Sequence, residues 1–423
     1  MSVASKQFSG RILFRIKVIL AWAGIGLTAY GLWYLWGAMN IISAYGAKNL
    51  CSCVFVAGRN PQQVIQEELG TKLSSFGTYT TDVSDSSAHG SVFGLARHKA
   101  IFRKGLGCTL VNGISETDLR AQKISGVQPF TRPDTVSWPS GDRTTGQIPA
   151  SVDTAALQAV LDRAFSEPGD GYLRRTRAVV VVYKDTIIAE QYAEGFTRHT
   201  PLTGWSMTKS LTNAMVGVLT GDGKLKVTNP ADVPEWHSDP NDPRSVITLN
   251  DLMQASSGLE WNEFYGGPSD ATRMLFLERD AAAVAAGNKV EFPRGSVFEY
   301  SSGTTNIISR IVRKTVGEKN YHRFPYERIF RKIGMTGMII EPDPSGTFVG
   351  SSYSFAPARD WARFGLLFLH DGAWNGERIL PEGWVKYTST PAPAALRGEY
   401  GAQWWLNAGE SGNARSDELA AVF

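Results

Sequence analysis

The octapeptide Gly204-Trp205-Ser206-Met207-Thr208-Lys209-Ser210-Leu211 holds the only Ser-x-x-Lys in this 423-residue chain, and it opens an apolar run over residues 211–219. Residues three apart share one face of a helix, so the Ser206 hydroxyl and the Lys209 amine can meet. At a helix N-terminus the free backbone N–H groups also favour a developing negative charge beside Ser206. A serine nucleophile, an amine to take its proton and a positive helix end are the parts of an acyl-transfer site. Both residue types are common on exposed helix faces as well, so the surrounding chain has to decide.

Before this stretch, residues 153–165 have helical spacing, with Leu157, Val160, Leu161 and Phe165 on one side. Two β-rich runs, 177–183 and 186–192, meet at Lys184-Asp185 as a hairpin. That order sets the Ser206 helix against a sheet. After it, helices are expected over residues 248–254 with Thr248 as cap, and over 270–286, 304–316 and 357–370. Trp404-Trp405-Leu406 looks like the start of a strand. The domain is taken as residues 151–423, α+β, with an antiparallel sheet flanked by helices and a mainly helical part.

Residues 114–150 are rich in Thr, Pro, Gly and Ser and are expected to form an extended connector. Residues 50–113 make a small β-rich preamble, with a helix over 61–69 and strands over 91–96 and 99–102. At the N-terminus, Lys6, Arg11, Arg15 and Lys17 precede a long apolar run over residues 18–42, with Trp33, Tyr34 and Trp36 near its end. That is long enough to span a bilayer, with an aromatic belt and a basic flank (residues 1–17) on the cytoplasmic side. A single-pass inner-membrane anchor with the domain on the periplasmic side follows. A cleaved signal peptide is the competing account, but the run is long and Ala44-Tyr45-Gly46 is a poor cleavage site. In an exported domain Cys108 can pair with either Cys51 or Cys53. The net charge of +3 and the scattered basic residues point away from nucleic acid, and no Cys/His cluster suggests a metal. No cofactor is implied.

A second signal lies in Glu299-Tyr300-Ser301-Ser302-Gly303-Thr304, directly before a predicted helix. A phenol near a Ser–Lys pair can carry protons, although Tyr300 could equally be a buried aromatic at a loop-to-helix junction. Tyr387-Thr388-Ser389 has the same spacing and is read as a surface turn. Trp205 and Trp404 are taken as packing residues, His199 and His237 as solvated loop residues, and Tyr265 and Asp270 as a surface loop or a cleft wall.

Together these segments resemble the penicillin-recognising serine hydrolases, most of all the branch of class C β-lactamases, esterases and 6-aminohexanoate-dimer hydrolases. The resemblance rests on Ser206-x-x-Lys209 and Tyr300-x-Ser302. Residues 247–252 leading to Ser256-Ser257-Gly258-Leu259, Pro293-Arg294-Gly295, Trp374-Asn375-Gly376 and Leu380-Pro381 occur in the family's order. It implies a β-lactamase/DD-peptidase-like fold, Ser206 as nucleophile, Lys209 as its activator, Tyr300 as proton carrier and Ser302 as a substrate-binding residue. The implied substrate is a small or peptide-like amide or ester, among them β-lactams, linear amide oligomers and D-amino-acid peptides. The family's third motif, Lys or His-x-Gly, is expected after Trp404-Trp405. No Lys-Thr-Gly occurs, and His370-Asp371-Gly372 reads as a helix terminator. The expectation is therefore a domain shortened at its C-terminal end, with a non-catalytic membrane-anchored binding domain as the alternative.

Overall fold

A computed structural model describes residues 3–70, 72–122, 135–169, 171 and 173–406. Helix α1 (Val3–Phe55) runs unbroken for 53 residues. The boundary placed at residue 42 is a change of surroundings, not an end of helix. Side chains from Arg15 to Trp36 are exposed, whereas Met39, Ile41, Ala44, Ala47, Leu50 and Cys51 are buried. No proline interrupts the run, and small residues let the backbone lie close on its neighbours. A Cβ at Gly46 would fall 1.8 Å from the Tyr79 ring, and one at Gly90 would fall 2.1 Å from the Ser43 carbonyl oxygen.

Asn60 caps α2 (Pro61–Val64), which continues as a π-helical turn to Leu69. The surface that receives α1 is an antiparallel sheet of β1 (Gly77–Asp82), β2 (Ser87–Val92), β3 (Ala96–Arg103) and β4 (Gly107–Leu110), in that order. The single strand expected over 91–96 is instead the end of β2, a turn and the start of β3. Phe93 and Gly94 both take positive φ, at 51° and 70°, and reverse the chain there. Cys51 pairs with Cys108 and ties the end of α1 to β4. Cys53 is a buried free thiol, whose pKa burial pushes up to about 11.

The connector is not wholly extended, because Ser115 caps α3 (Glu116–Ala121) within it; residues 123–134 lie outside the described residues. Asp153 caps α4 (Thr154–Phe165). Strands β5 (Ala178–Tyr183) and β6 (Thr186–Tyr192) pair antiparallel across Lys184 and Asp185, both at positive φ as a two-residue turn requires. Next come β7 (Leu202–Thr203) and α5 (Thr208–Gly221), then α6 (Leu249–Met253), closed by a Thr248–Asp251 capping box.

The single helix expected over 270–286 is two, α7 (Asp270–Phe276) and α8 (Ala281–Ala286). The Asp280 carboxylate accepts from the Ala283 N–H and starts a new helix inside a run of good helix formers. Helix α9 (Ser302–Val316) follows, then β8 (Ile339–Ile340), β9 (Ser354–Ala356), α10 (Ala358–Leu369), the small pair β10 (Ala373–Trp374) and β11 (Glu377–Arg378), and α11 (Trp384–Ser389). The Tyr387-Thr388-Ser389 segment is therefore helical. Thr388 is buried, and the Tyr387 hydroxyl donates to Asn250 Oδ1, so it is not the surface turn expected. Gly372, at φ 75°, ends α10 as predicted.

A sheet in the order β7-β9-β8 lies beside the start of α5. Helix α5 is buried along Leu211, Met215, Val218 and Leu219 in one core with Ile307, Ile308 and Ile311 of α9. Side chains of this kind contribute roughly 1.5–3 kcal/mol each when buried. The centre of the domain is thus fixed, and the start of α5 is held with Ser206, two residues before it, exposed to solvent.

Candidate active site

Ser206 sits in a 3₁₀ turn, Trp205–Met207, that feeds α5. Trp205 adopts φ 40°, an unusual conformation for a bulky residue. Two contacts with β9 and one within the turn hold it. The Gly204 N–H donates to the Ser354 carbonyl at 2.8 Å, and Thr208 Oγ1 donates to the Trp205 carbonyl at 2.6 Å and lies 2.6 Å from Ser354 Oγ. Only glycine fits at 204, since a Cβ there would lie 2.5 Å from both Ser354 Oγ and the Trp361 ring.

One turn on, Lys209 is 2 % exposed, and its amine lies 3.4 Å from Ser206 Oγ. It also donates to Ser302 Oγ at 3.0 Å and to the Ser351 carbonyl at 3.1 Å. Among the described residues no carboxylate lies within ion-pairing distance of it. The structure thus brings Ser206, Lys209 and Ser302 together. Tyr300 joins them through its ring, with the Lys209 amine 4.7 Å from the ring centroid, and is not hydrogen-bonded to Ser206 or Lys209. The ring is fixed by Trp405 at 5.1 Å and Tyr400 at 5.9 Å.

Sequence reasoning missed Glu263 and Ser351, and left Tyr265 undecided. The Glu263 carboxylate accepts from the Ser302 N–H at 2.9 Å, Ser302 Oγ at 2.5 Å, the Tyr265 hydroxyl at 2.7 Å and Trp261 Nε1 at 2.5 Å. An ionised carboxylate only accepts, so the Ser302 hydroxyl must donate to it and present lone pairs to Lys209. Enclosure of its hydroxyl end, and then the charge of Glu263, push the Tyr265 phenol well above the usual tyrosine range and keep it a donor. The polar-aromatic run Trp261-Asn262-Glu263-Phe264-Tyr265 was the available signal, but it has no period. Asp270 is outside the site; it accepts from the Asn262 N–H at the start of α7. His199 and His237 are exposed and are bonded to Arg198 and the Ala231 carbonyl, not to this cluster.

Ser206 and Lys209 open into a cavity of about 280 Å³ walled by Tyr300, Trp361, Tyr400 and Trp405. A buried amine against a serine hydroxyl, at the foot of an aromatic-walled pocket, is an arrangement able to activate that serine. A sequence profile of the beta-lactamase family matches residues 161–416, well over half of the chain.

The chain belongs to the beta-lactamase family.

It is also similar, at 26 % identity over 261 residues, to the 6-aminohexanoate-dimer hydrolase of Paenarthrobacter ureafaciens, covering 56 % of this chain and 66 % of that protein. The chain thus spans just under two thirds of that relative's length. Among solved structures it resembles a Bacillus anthracis protein described as a 6-aminohexanoate-dimer hydrolase, at 26 % identity and a TM-score of 0.49, over 60 % of this chain and 69 % of that one. It also resembles a penicillin-binding protein from Bacillus halodurans, at 17 % identity and a TM-score of 0.43, over 56 % and 81 %. Within this beta-lactamase-family chain, Ser206, Lys209 and Tyr300 occupy one pocket.

Proposed function

We propose that this protein is a membrane-anchored serine hydrolase that cleaves an amide or ester through an acyl-enzyme on Ser206. The observation that carries it is the Lys209 amine, buried at the foot of the pocket with its nitrogen 3.4 Å from Ser206 Oγ. Ser302 Oγ and the Ser351 carbonyl both accept from it and hold it there.

Ser206 Oγ attacks the substrate carbonyl as its proton passes to Lys209. The N-terminus of α5, with the Ser206 N–H, meets the oxyanion. The proton then goes to the leaving group, with Tyr300 on the same side of the pocket as a second carrier, and water releases the acyl group from Ser206. Ser302 is fully buried between Lys209 and Glu263 and lines no cavity that reaches Ser206, so in place of the substrate contact expected of it, it keeps the amine in register.

The exposed apolar stretch of α1 is long enough to cross a membrane. Together with its basic flank it supports an inner-membrane anchor with the domain outside the cytoplasm. The Cys51–Cys108 disulfide supports the same side, because disulfides persist in oxidising compartments. A fluorophosphonate probe tests the activity: the full chain in detergent is expected to label and the Ser206→Ala variant not to. Absence of Ser206-dependent labelling in folded protein would leave a non-catalytic binding domain as the better account.

A further inference from the structure

A second cavity, of about 640 Å³, also reaches Ser206, the one lining residue it shares with the aromatic pocket. Its volume is within the range of about 300–1,000 Å³ usual for ligand sites. One wall is α1 itself, through Ala38, Ile41, Ile42 and Tyr45. Those four are spaced i, i+3, i+4 and i+7 and so form one helix face. Phe276 and Trp205 add further apolar surface. The lining carboxylate, Glu68, is bound by Arg59 at 2.7 Å and Arg177 at 3.0 Å.

The same helix connects this cavity to the apolar span. Leu32, Trp33, Leu35 and Trp36 are exposed, and Ile41 follows five residues later, about 7.5 Å along the axis. The rim loop, residues 264–268, touches the span. A Cβ on Gly267 would lie 2.5 Å from the Tyr34 hydroxyl, and Phe264 beside it is 58 % exposed. An apolar chamber thus opens where the bilayer surface would lie and ends at the candidate nucleophile.

We propose that this cavity takes the acyl chain of a membrane-borne ester or amide whose carbonyl is presented to Ser206. The inference rests on the serine-hydrolase reading above. Its direction comes from the proton carriers: Lys209 and Tyr300 line the aromatic pocket and not this cavity. The group that leaves must receive a proton, so it occupies the aromatic pocket, and the acyl chain lies in the α1-walled cavity. The Ser206 Oγ–carbon bond forms, the carbonyl carbon–oxygen or carbon–nitrogen bond breaks, and the Ser206 proton passes through Lys209 to the leaving alcohol or amine. Water then attacks the acyl-enzyme, releasing the carboxylic acid and returning a proton to Ser206.

The test uses the full chain in detergent micelles with p-nitrophenyl esters from acetate to dodecanoate. Over the first several methylenes, kcat/KM is expected to rise by about fourfold for each methylene that is buried. Ile42→Trp, which fills the cavity, is expected to lower the decanoate-to-acetate ratio of kcat/KM at least tenfold. Ala38→Phe, on the same face, gives a second filling variant should the first not fold, and comparing the ratio between variant and wild type cancels partition into micelles. A wild-type protein that labels at Ser206 and hydrolyses acetate, but shows no chain-length dependence, would overturn the acyl-cavity proposal and leave the hydrolase reading standing. So would filling variants that lower both esters equally. Failure of Ser206 to label would overturn both.

Discussion

Among the described residues two lysines are buried, and their surroundings share most parts. Lys48, on α1, is 4 % exposed, lies over the Tyr353 ring at 4.0 Å and donates to Ser52 Oγ at 2.9 Å. Lys209, on α5, is 2 % exposed, lies over the Tyr300 ring and donates to Ser302 Oγ. The difference is a carboxylate. Lys48 is paired directly with Glu341, which is fully buried and also accepts from Ser52 Oγ at 2.9 Å and the Cys108 N–H at 2.6 Å. Lys209 meets its acid, Glu263, only through the Ser302 hydroxyl. A charge neutralised on contact is a structural tie. An amine held only by neutral acceptors beside a serine is what the proposed activation of Ser206 calls for.

The sharpest way to break this contrast is Lys209→Ala, which should lower turnover about 10⁴-fold or more in an ester assay while the protein still folds. Turnover near wild type would make the two lysines alike. On the other side, Glu341→Ala strands the Lys48 charge and should cost about 3–5 kcal/mol of stability, read as a lower thermal midpoint in detergent. The double variant Lys48→Met/Glu341→Leu should recover most of that loss, because two apolar groups replace the pair. Cys51→Ser releases the disulfide that bridges a separation of 57 residues at the same junction. A destabilisation of about 2–4 kcal/mol is expected in the same melting assay, and an unchanged midpoint would remove the bond from this tie. The smallest effect is expected at the relay: Glu263→Gln offers an N–H where Ser302 must donate, and kcat should fall about tenfold with little change in melting. A melting loss as large as that of Glu341→Ala would mean that the site, too, is held together by its acid.

What could be read in the chain follows the same division. Ser206 and Lys209 are three apart across the start of α5, and Tyr300 and Ser302 stand at the start of α9, so short spacing carried them. Glu263 and Ser351 come from aperiodic loops 54 and 142 residues from Lys209 and converge only through the packing of α5 and α9. The Lys48–Glu341 tie was invisible for a stronger reason, since 293 residues separate its partners and each looks like an ordinary charged residue. Helical period and the hairpin at Lys184-Asp185 placed most elements. The errors fell where one side chain or one turn overrides the period, as at Asp280 and Phe93-Gly94.

The 53 unbroken residues of α1 also decide how such an enzyme would search. At about 1.5 Å per residue the helix is a rod of roughly 80 Å, gripped at one end by a disulfide and a buried ion pair and carrying no leash between span and catalytic body. The serine could then neither drift away from the bilayer nor descend into it; it would sweep a circle at one fixed height as the rod turns. Bonds at that height would be met repeatedly by lateral diffusion. An identical bond a nanometre higher, however abundant, would never come within reach.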